Sequence, residues 1–404
     1  MSSNNAPGAA NGDREQEQPF DPSKFIDEQI PVIRKFVGGT KAAIATSGGV
    51  DSTACAALAH RALGMNLVCF FMDTGFMREG EVEEVRQMLK SLGLPLKILS
   101  VKGRFLRALE GKTDAESKRL VFRETFYTIL GEAMKAEGCH VLIQGTIAPD
   151  WIESSGGIKT QHNVLEQLGV DTVSSFGFRL LEPLLDLYKD QVRALARYLG
   201  VRESERQPFP GPGLMVRSIG SVTAEKLEIL RRATAITEQS LAQMEPPPKQ
   251  YLAAVAEDNR QPSPAVTESL SGSFKGLNVE YLGALATGVK GDDRAYGKVA
   301  VASGRAADGL EPRELFGLPA AVIHADRDVV RVLYTVTQAG ARRGAGRFVV
   351  MVRAVETRDF MTAKPSDVPL AILKGLAERV LEDSRVSLVA YDLTSKPPAT
   401  VEFE

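Results

Sequence analysis

The first half of the chain alternates short apolar runs with amphipathic segments. Apolar runs of strand length lie at residues 42–45, 66–72, 96–101 and 139–143. The segments between them carry apolar residues at helical spacing, notably at residues 79–93 and 114–137. Apolar runs without polar alternation are typical of a parallel sheet that is buried on both faces. The pattern therefore predicts an α/β fold of right-handed βαβ units, in which ligands bind at the carboxyl ends of the strands.

Residues 42–55, AAIATSGGVDSTAC, join the first predicted strand to a helix through a glycine-rich turn. The free N–H groups and the dipole at a helix N-terminus favour an anion, and glycines let the backbone approach it closely. Ser47 and Ser52 add hydroxyl donors. Because a carboxylate beside phosphate oxygens needs a cation between them, Asp51 is a candidate Mg²⁺ ligand. The stretch predicts a binding site for a nucleotide phosphate.

An ordinary helix N-cap is the alternative for this stretch, because Ser and Asp are favoured at that position and Gly-Gly is a common turn. The full hexapeptide SGGVDS is more specific than SGG alone. It lacks the Gly-Lys-Ser/Thr of a Walker loop and the G-x-G-x-x-G of dinucleotide folds. It resembles the PP-loop of the N-type ATP pyrophosphatases, which cleave ATP between the α and β phosphates and leave AMP on the substrate.

A second polar stretch, QGTIAPDWIESSGG, follows the apolar run at residues 139–143. Gln144 lies at the carboxyl end of that predicted strand, and Asp150 and Glu153 follow three residues apart. The next residues predict a mobile lid that closes on a charged substrate, and they are Gly156, Gly157, Lys159, His162 and Asn163. An ordinary surface turn is the alternative.

Three further features point to the same edge of the sheet. Lys189 lies in the first turn of a predicted helix, where the dipole repels it, so it is either solvated or faces a bound anion. Residues 208–214, PFPGPGL, predict a shaped loop because no regular element passes through that spacing of Pro and Gly. The backbone around Phe71, at the end of the second strand, is a candidate adenine contact.

Composition limits the remaining classes of protein. With 404 residues, 44% hydrophobic and 25% charged, the chain is expected to form two or three globular domains. A net charge of −2 argues against a surface that mainly binds nucleic acid. Cys55, Cys69 and Cys139 form no CxxC motif and fit a reducing compartment. No signal peptide or membrane-spanning run is visible, so we expect a cytoplasmic protein.

Four motifs occur here in the order found in GMP synthetases. They are SGGVDS, QGTIAPDWIESS with KTQHNV, LLDLYKDQVRALARYLG, and PFPGPGL. The end of the chain, RAVETRDFMTA and YDLTSKPPATVEFE, is similar to the dimerisation domain and C-terminal segment of that family. The resemblance covers roughly residues 21–234, 281–301 and 347–404. Only the combination of these motifs with the PP-loop selects this family among the N-type ATP pyrophosphatases.

The resemblance implies a division of the chain into three parts. Residues 1–20 are expected to be a disordered tail, 21–218 an ATP pyrophosphatase domain with a parallel sheet, and 219–404 a smaller α+β dimerisation domain. Residues 244–280, rich in Pro and Ser as linkers are, and 303–346 are expected to be insertions. Because no amidotransferase domain is seen before residue 20, the chain resembles the separate ATP pyrophosphatase subunit. We therefore expect a homodimer that receives ammonia from a glutamine amidotransferase subunit.

The resemblance also implies substrates and residue roles. ATP and Mg²⁺ would be used to adenylate xanthosine monophosphate (XMP) at its C2 oxygen, before ammonia displaces AMP. Asp51, as metal ligand, and Lys189 would take part in catalysis. ATP would be bound by Ser47, Gly48, Gly49, Val50, Asp51, Ser52, Phe71, Gln144 and Gly145. XMP would be bound by Arg119, Asp150, Asp292, Arg294, Lys396 and Glu402.

Two rival functions stay open on the sequence. A tRNA-modifying pyrophosphatase would need a basic RNA-binding face and often catalytic cysteines, and neither is visible. A nucleotide-sensing module would bind ATP without turnover, which the intact SGGVDS, Lys396 and Glu402 disfavour.

Overall fold

The computed structural model describes residues 20–149, 173, 176–202, 207–291, 293–304, 310–338, 346–357 and 361–404. The first half folds around a parallel sheet of five strands in the order β3-β2-β1-β4-β5. The strands are β1 Lys41–Ala45, β2 Leu67–Asp73, β3 Leu96–Ser100, β4 Cys139–Ile143 and β5 Arg179–Leu181. The helices are α1 Pro22–Val37, α2 Val50–Leu63, α3 Glu81–Ser91, α4 Lys102–Ala108, α5 Ala115–Glu137 and α6 Lys189–Tyr198. The predicted α/β class is confirmed.

The apolar runs form this sheet because both of its faces are covered. Ala43 and Phe70 belong to one core cluster, whereas Ile44 and Cys69 belong to the cluster on the opposite face. Strand β1 lies in the middle, with β2 and β3 on one side and β4 and β5 on the other. The strand order therefore reverses between β1 and β4, which is where open α/β sheets bind ligands.

The second half of the chain forms a mixed sheet of nine strands among the described residues. The strands are β6 Gln250–Glu257, β7 Gln261–Pro262, β8 Asn278–Tyr281, β9 Ala286–Lys290, β10 Asp293–Ser303, β11 Val329–Gln338, β12 Phe348–Glu356, β13 Lys364–Pro365 and β14 Val386–Asp392. The helices are α7 Ala224–Leu241, α8 Pro264–Leu270, α9 Leu318–Ala325 and α10 Leu370–Val380. The main order is β13-β12-β14-β11-β10-β8-β7, with β6 beside β12 and β9 beside β10.

The linker-like reading of residues 244–280 is wrong in one respect. Strand β6 lies inside this range, is buried at all but its last position, and pairs with β12 along eight residues. The prolines before it and the Pro and Ser after it suggested a linker, but the apolar run between them belongs to the sheet. Helix α4 was also not predicted. The boundary at residues 218 and 219 stays a prediction.

Within the described ranges, no helix has both the length and the apolar character needed to cross a membrane.

Candidate active site

The turn between β1 and α2 has a shape that requires glycine. Gly48 has a φ of +80°, and a Cβ atom there would lie 2.4 Å from Val85 Cγ2. The N-cap of α2 is Gly49, and no side chain caps this helix. The Ser or Asp N-cap considered from the sequence is therefore wrong. A helix N-terminus that its own side chains leave uncapped suits an anion.

The two serines of this turn contact each other. Ser47 Oγ lies 3.1 Å from Ser52 Oγ, which also accepts a hydrogen bond from the Ser47 N–H at 3.2 Å. Ser52 Oγ donates to Gly49 O at 3.2 Å. These hydroxyls are held at the mouth of the turn, where their donors can turn toward a phosphate.

Asp51 and Lys189 meet across this turn, although they are far apart in sequence. Lys189 Nζ lies 2.5 Å from Asp51 Oδ2, and the Lys189 side chain is half exposed. Lys189 therefore faces an anion, as one of the two sequence interpretations predicted, and that anion is Asp51. The other oxygen, Asp51 Oδ1, is buried and has no hydrogen-bond partner among the described residues.

The donors around Asp51 fit Mg²⁺. No cluster of three or more His, Cys, Asp or Glu that could hold a metal occurs among the described residues. Mg²⁺ is usually bound by one or two carboxylates together with water and substrate phosphates, so a single carboxylate with one unpaired buried oxygen is sufficient.

The segment after β4 packs directly on α2. A Cβ atom at Gly145 would lie 3.0 Å from Asp51 O and 3.2 Å from Cys55 Cβ, so glycine allows this close approach. The side chain of Gln144 is fixed by two neighbours: its Nε2 donates to Thr146 Oγ1 at 3.1 Å, and its Oε1 accepts from Tyr127 Oη at 3.5 Å. The structure thus brings the Gln144–Gly145 pair beside Asp51.

Phe71 presents no side chain to this edge. It is 1% exposed and packs in the core on the α2 side of the sheet. Only its backbone could contact adenine, and that role stays a prediction.

Arg119 and Arg294 come together from the two halves of the chain. Arg294 Nη1 lies 3.1 Å from Glu116 Oε1, and Arg119 Nη1 lies 3.8 Å from the same oxygen. Burial and the neighbouring Arg294 lower the pKa of Arg119. Two guanidinium groups that share one carboxylate leave an excess of positive charge, which suits a phosphate.

Residues 395–404, hereafter the tail, lie along β9. Val289 N–H donates to Pro398 O at 2.7 Å, and Thr287 N–H donates to Phe403 O at 2.8 Å. Strand β9 pairs with β10, where Val289 is opposite Arg294. Lys396 exchanges two backbone hydrogen bonds with Ala363. The structure therefore holds the tail and Arg294 on one hairpin.

Glu402 has a partner that the sequence reasoning missed. Arg217, fully buried, donates from Nε to Glu402 Oε2 at 2.9 Å and from Nη2 to Oε1 at 2.8 Å. The Phe209 ring lies 5.2 Å from the Arg217 guanidinium and 4.1 Å from that of Arg78. Leu214 N–H also donates to Phe76 O at 2.8 Å, which attaches the 208–214 loop to the first half of the chain. Only the position of Arg217, three residues after that loop, was a signal.

A second buried cluster below the tail was also missed. Arg331 and Arg353 each donate to Asp392 Oδ2 at 2.7 Å, and all three side chains are buried. Burial lowers the pKa of Arg331 to about 10. Burial acts to raise the pKa of Asp392, but the two arginines outweigh it and lower that pKa. The Arg331 guanidinium also lies 4.0 Å from the Phe403 ring. Charged residues inside strands gave no sequence signal, because such residues are usually exposed.

Several predicted site residues lie outside the described residues. They are Asp150 and Asp292, together with Glu153, Gly156, Gly157, Lys159, His162 and Asn163 of the predicted lid.

Comparisons with known proteins agree along nearly the whole chain. Residues 23–205 match the PP-loop domain family, and residues 323–403 match the GMP synthase C terminal domain family. One of the subunits of the glutamine-hydrolyzing GMP synthase from Sulfurisphaera tokodaii is 44% identical over 391 residues, which are 95% of this chain and 100% of the relative. The protein of the same name from Saccharolobus solfataricus is 42% identical over 389 residues, with the same two coverages. A solved NH3-dependent NAD synthetase from Campylobacter jejuni, with 20% identity and a TM-score of 0.36 over 45% of this chain and 75% of its own, is too distant to bear on the argument.

Proposed function

Because this chain belongs to the same family as these glutamine-hydrolyzing GMP synthase subunits, we propose that it makes GMP from XMP, ATP and ammonia. The reaction has two steps. The C2 oxygen of XMP attacks the α-phosphorus of ATP, and pyrophosphate leaves. Ammonia then adds to C2 of the adenylated XMP, the C2–O bond breaks, and AMP leaves with that oxygen. Such phosphoryl chemistry needs positioning and charge neutralisation rather than a protein nucleophile.

The observation that carries the proposal is the arrangement around Asp51. Its buried Oδ1 has no partner among the described residues, and it lies in the first turn of a helix that no side chain caps. Ser47, Gly48, Gly49, Val50 and Ser52 bind the phosphates of ATP there. Bound at Asp51, Mg²⁺ would neutralise phosphate charge. Lys189, released from the carboxylate by the metal, is within reach of the same phosphates.

Gln144 and Gly145 continue the ATP site on the β4 side. Gly145 contributes backbone that lies against α2, and Gln144 is oriented by Thr146 and Tyr127 before any ligand arrives. The backbone at Phe71 and a lid that includes Asp150 complete this half of the site as predicted from the sequence.

XMP binds between α5, the hairpin of β9 and β10, and the tail. Arg119 and Arg294 bind its phosphate, for which two adjacent guanidinium groups are suited. Lys396 adds a further positive charge. Glu402, which keeps lone pairs beyond those used by Arg217, accepts a hydrogen bond from the xanthine ring or the ribose. Asp292 belongs to the same site.

The chain receives ammonia and does not make it. Glutamine hydrolysis needs a reactive thiolate, and all three cysteines are buried. Burial raises the pKa of Cys69 to about 12 and that of Cys139 to about 11, and it raises the pKa of Cys55 as well. A separate glutamine amidotransferase therefore supplies ammonia to a homodimer of this chain in the cytoplasm. A tRNA-modifying pyrophosphatase remains the alternative function.

The test is a product analysis with the purified chain. With XMP, ATP, Mg²⁺ and ammonium, we expect GMP, AMP and pyrophosphate in equal amounts, and no GMP when glutamine replaces ammonium. Release of AMP that requires tRNA and not XMP would contradict the proposal in favour of the alternative. Omission of XMP is the matched control.

A further inference from the structure

Two buried lysines fix the segment that joins the two halves of the chain. Residues 216–221, hereafter the connecting segment, lie between Lys118 of α5 and Lys226 of α7, both fully buried. Lys118 Nζ donates to Ser218 O and to Gly220 O, both at 2.8 Å. Lys226 Nζ donates to Ile219 O at 2.6 Å and to Ser221 O at 2.7 Å. The two lysines thus bind alternate carbonyl groups of one segment.

Only Lys118 also contacts the tail. Its ammonium forms an ion pair with the side chain of Glu404, which is 3% exposed. Glu404 Oε1 accepts a hydrogen bond from the Gly220 N–H at 2.9 Å, and the Glu404 N–H donates to Val216 O at 3.1 Å. The Glu404 side chain therefore joins three parts of the chain: the tail, the connecting segment and α5.

This contact lies next to the proposed XMP residues on both sides. Lys118 precedes Arg119 on α5, and Glu404 lies two residues after Glu402 in the tail. Between the two glutamates, Phe403 is fully buried and packs on Arg331. A shift of the tail relative to α5 would therefore change the distance between Arg119 and Glu402.

Energetics favour a positioning role over a stabilising one. Burying both members of an ion pair costs desolvation energy that their attraction hardly offsets, so such pairs contribute little net stability. Burial lowers the pKa of Lys118 and raises that of Glu404, which shows that both groups carry this cost. The benefit of a buried pair is a defined geometry, because no alternative position satisfies both charges.

We propose that the ion pair of Lys118 and Glu404 fixes the tail against α5, and that it thereby sets the distance between the two groups of residues that bind XMP. Lys118 is a positioning residue and does not touch the substrate. The part that concerns XMP rests on the proposed function, whereas the fixing of the tail does not.

The test compares Lys118→Met with Lys226→Met. Both variants remove a fully buried lysine from the same connecting segment, but only Lys118 is ion-paired with the tail. We expect Lys118→Met to raise the KM for XMP by about tenfold or more, as loss of a charge-assisted contact does, and to leave the KM for ATP within about twofold. Hydrogen exchange of a peptide covering residues 395–404 should become faster in Lys118→Met. Lys226→Met should change neither the KM for XMP nor that exchange.

A second variant covers a failure of Lys118→Met to fold. Glu404→Gln keeps the shape of the side chain and its hydrogen bond from Gly220 while it removes the charge. It should show the same two changes at smaller size. An exchange rate of the tail that is unchanged in Lys118→Met and in Glu404→Gln would overturn the inference, as would an equal rise in the KM for XMP in Lys226→Met.

Failure of the proposed function gives a different result. If the unmodified chain makes no GMP, the proposed function is contradicted, and the exchange rates alone then decide whether Lys118 fixes the tail.

Discussion

At the PP-loop, Asp51 meets Lys189 in a partly exposed pair and keeps one buried oxygen without a partner among the described residues. At the tail, Glu402 and Asp392 are held by arginines that are fully or almost fully buried. An exposed pair contributes little to stability and is easily separated, whereas a buried pair that loses one partner leaves an uncompensated charge. The ATP end is therefore arranged to exchange its contacts when ligands bind, and the XMP end is assembled beforehand.

This difference also fits the two ligands. The phosphates of ATP bring their own cation and need a site that can rearrange around it. XMP must hold its C2 oxygen in line with the α-phosphorus, which requires fixed surroundings. Substitutions at the two ends should therefore have different consequences, for stability at the tail and for turnover at the PP-loop.

The largest effect on stability is expected for Asp392→Asn. The change leaves Arg331 and Arg353 buried beside each other without a counter-charge, and breaking a buried pair costs about 3–5 kcal/mol. Urea denaturation followed by circular dichroism should measure this loss in the free energy of unfolding. Asp27→Asn, on an exposed position of α1, is the control and should stay within about 0.5 kcal/mol. Equal stabilities of the two variants would break the comparison.

Asp51→Asn should have the opposite profile. Turnover with ammonium should fall by at least about a hundredfold, because a bound metal supplies several kcal/mol of charge stabilisation. The free energy of unfolding should change by less than about 1 kcal/mol, because the pair with Lys189 is partly exposed. Pyrophosphate release and urea denaturation measure the two quantities. Wild-type pyrophosphate release at saturating Mg²⁺ would show that Asp51 is not a metal ligand.

Arg217→Lys tests the preassembly of the XMP end. Lysine keeps the charge but loses the two parallel hydrogen bonds to Glu402, so the KM for XMP should rise by about tenfold while the KM for ATP stays constant. Arg232→Lys is the control, because Arg232 pairs with Glu382 on an exposed surface. A rise in both KM values would indicate a general defect instead of a loosened tail.

The smallest effect concerns the pH dependence of stability. Burial lowers the pKa of Lys226 from 10.5 to about 8 in the folded chain. Between these values the unfolded chain binds more protons, so the free energy of unfolding should rise with pH, by at most about 1.4 kcal/mol per pH unit from this group. The slope between pH 8 and 10 should be smaller in Lys226→Met. Identical slopes in the two proteins would contradict the lowered pKa.

The sequence predicted those features whose residues lie close together in the chain. The turn from Ser47 to Ser52 is contiguous, and glycine spacing with a following helix was enough to identify it. Arg119, Arg294 and the tail were named through a family resemblance, and the structure brings them to one hairpin. Their partners could not be predicted, because Arg217 and Glu402, or Arg331 and Asp392, meet only after two sheets have formed.

Burial was the second limit. A lysine on a helix, such as Lys118, is exposed in most proteins, so its sequence gives no sign of an ion pair in the interior. Strand β6 was misjudged because the prolines beside it are typical of linkers, whereas its burial depends on β12, which follows much later in the chain. Local sequence thus predicted the PP-loop and not the assembled tail.

The central claim is that the C2 oxygen of XMP, held at the tail, attacks the α-phosphorus of ATP held at the PP-loop. Its most direct test is mass spectrometry of the products formed from XMP that carries ¹⁸O at C2, with ATP, Mg²⁺ and ammonium. The account predicts one ¹⁸O atom in the phosphate of each AMP and none in pyrophosphate. Unlabelled AMP formed together with GMP, or label in pyrophosphate, would contradict it.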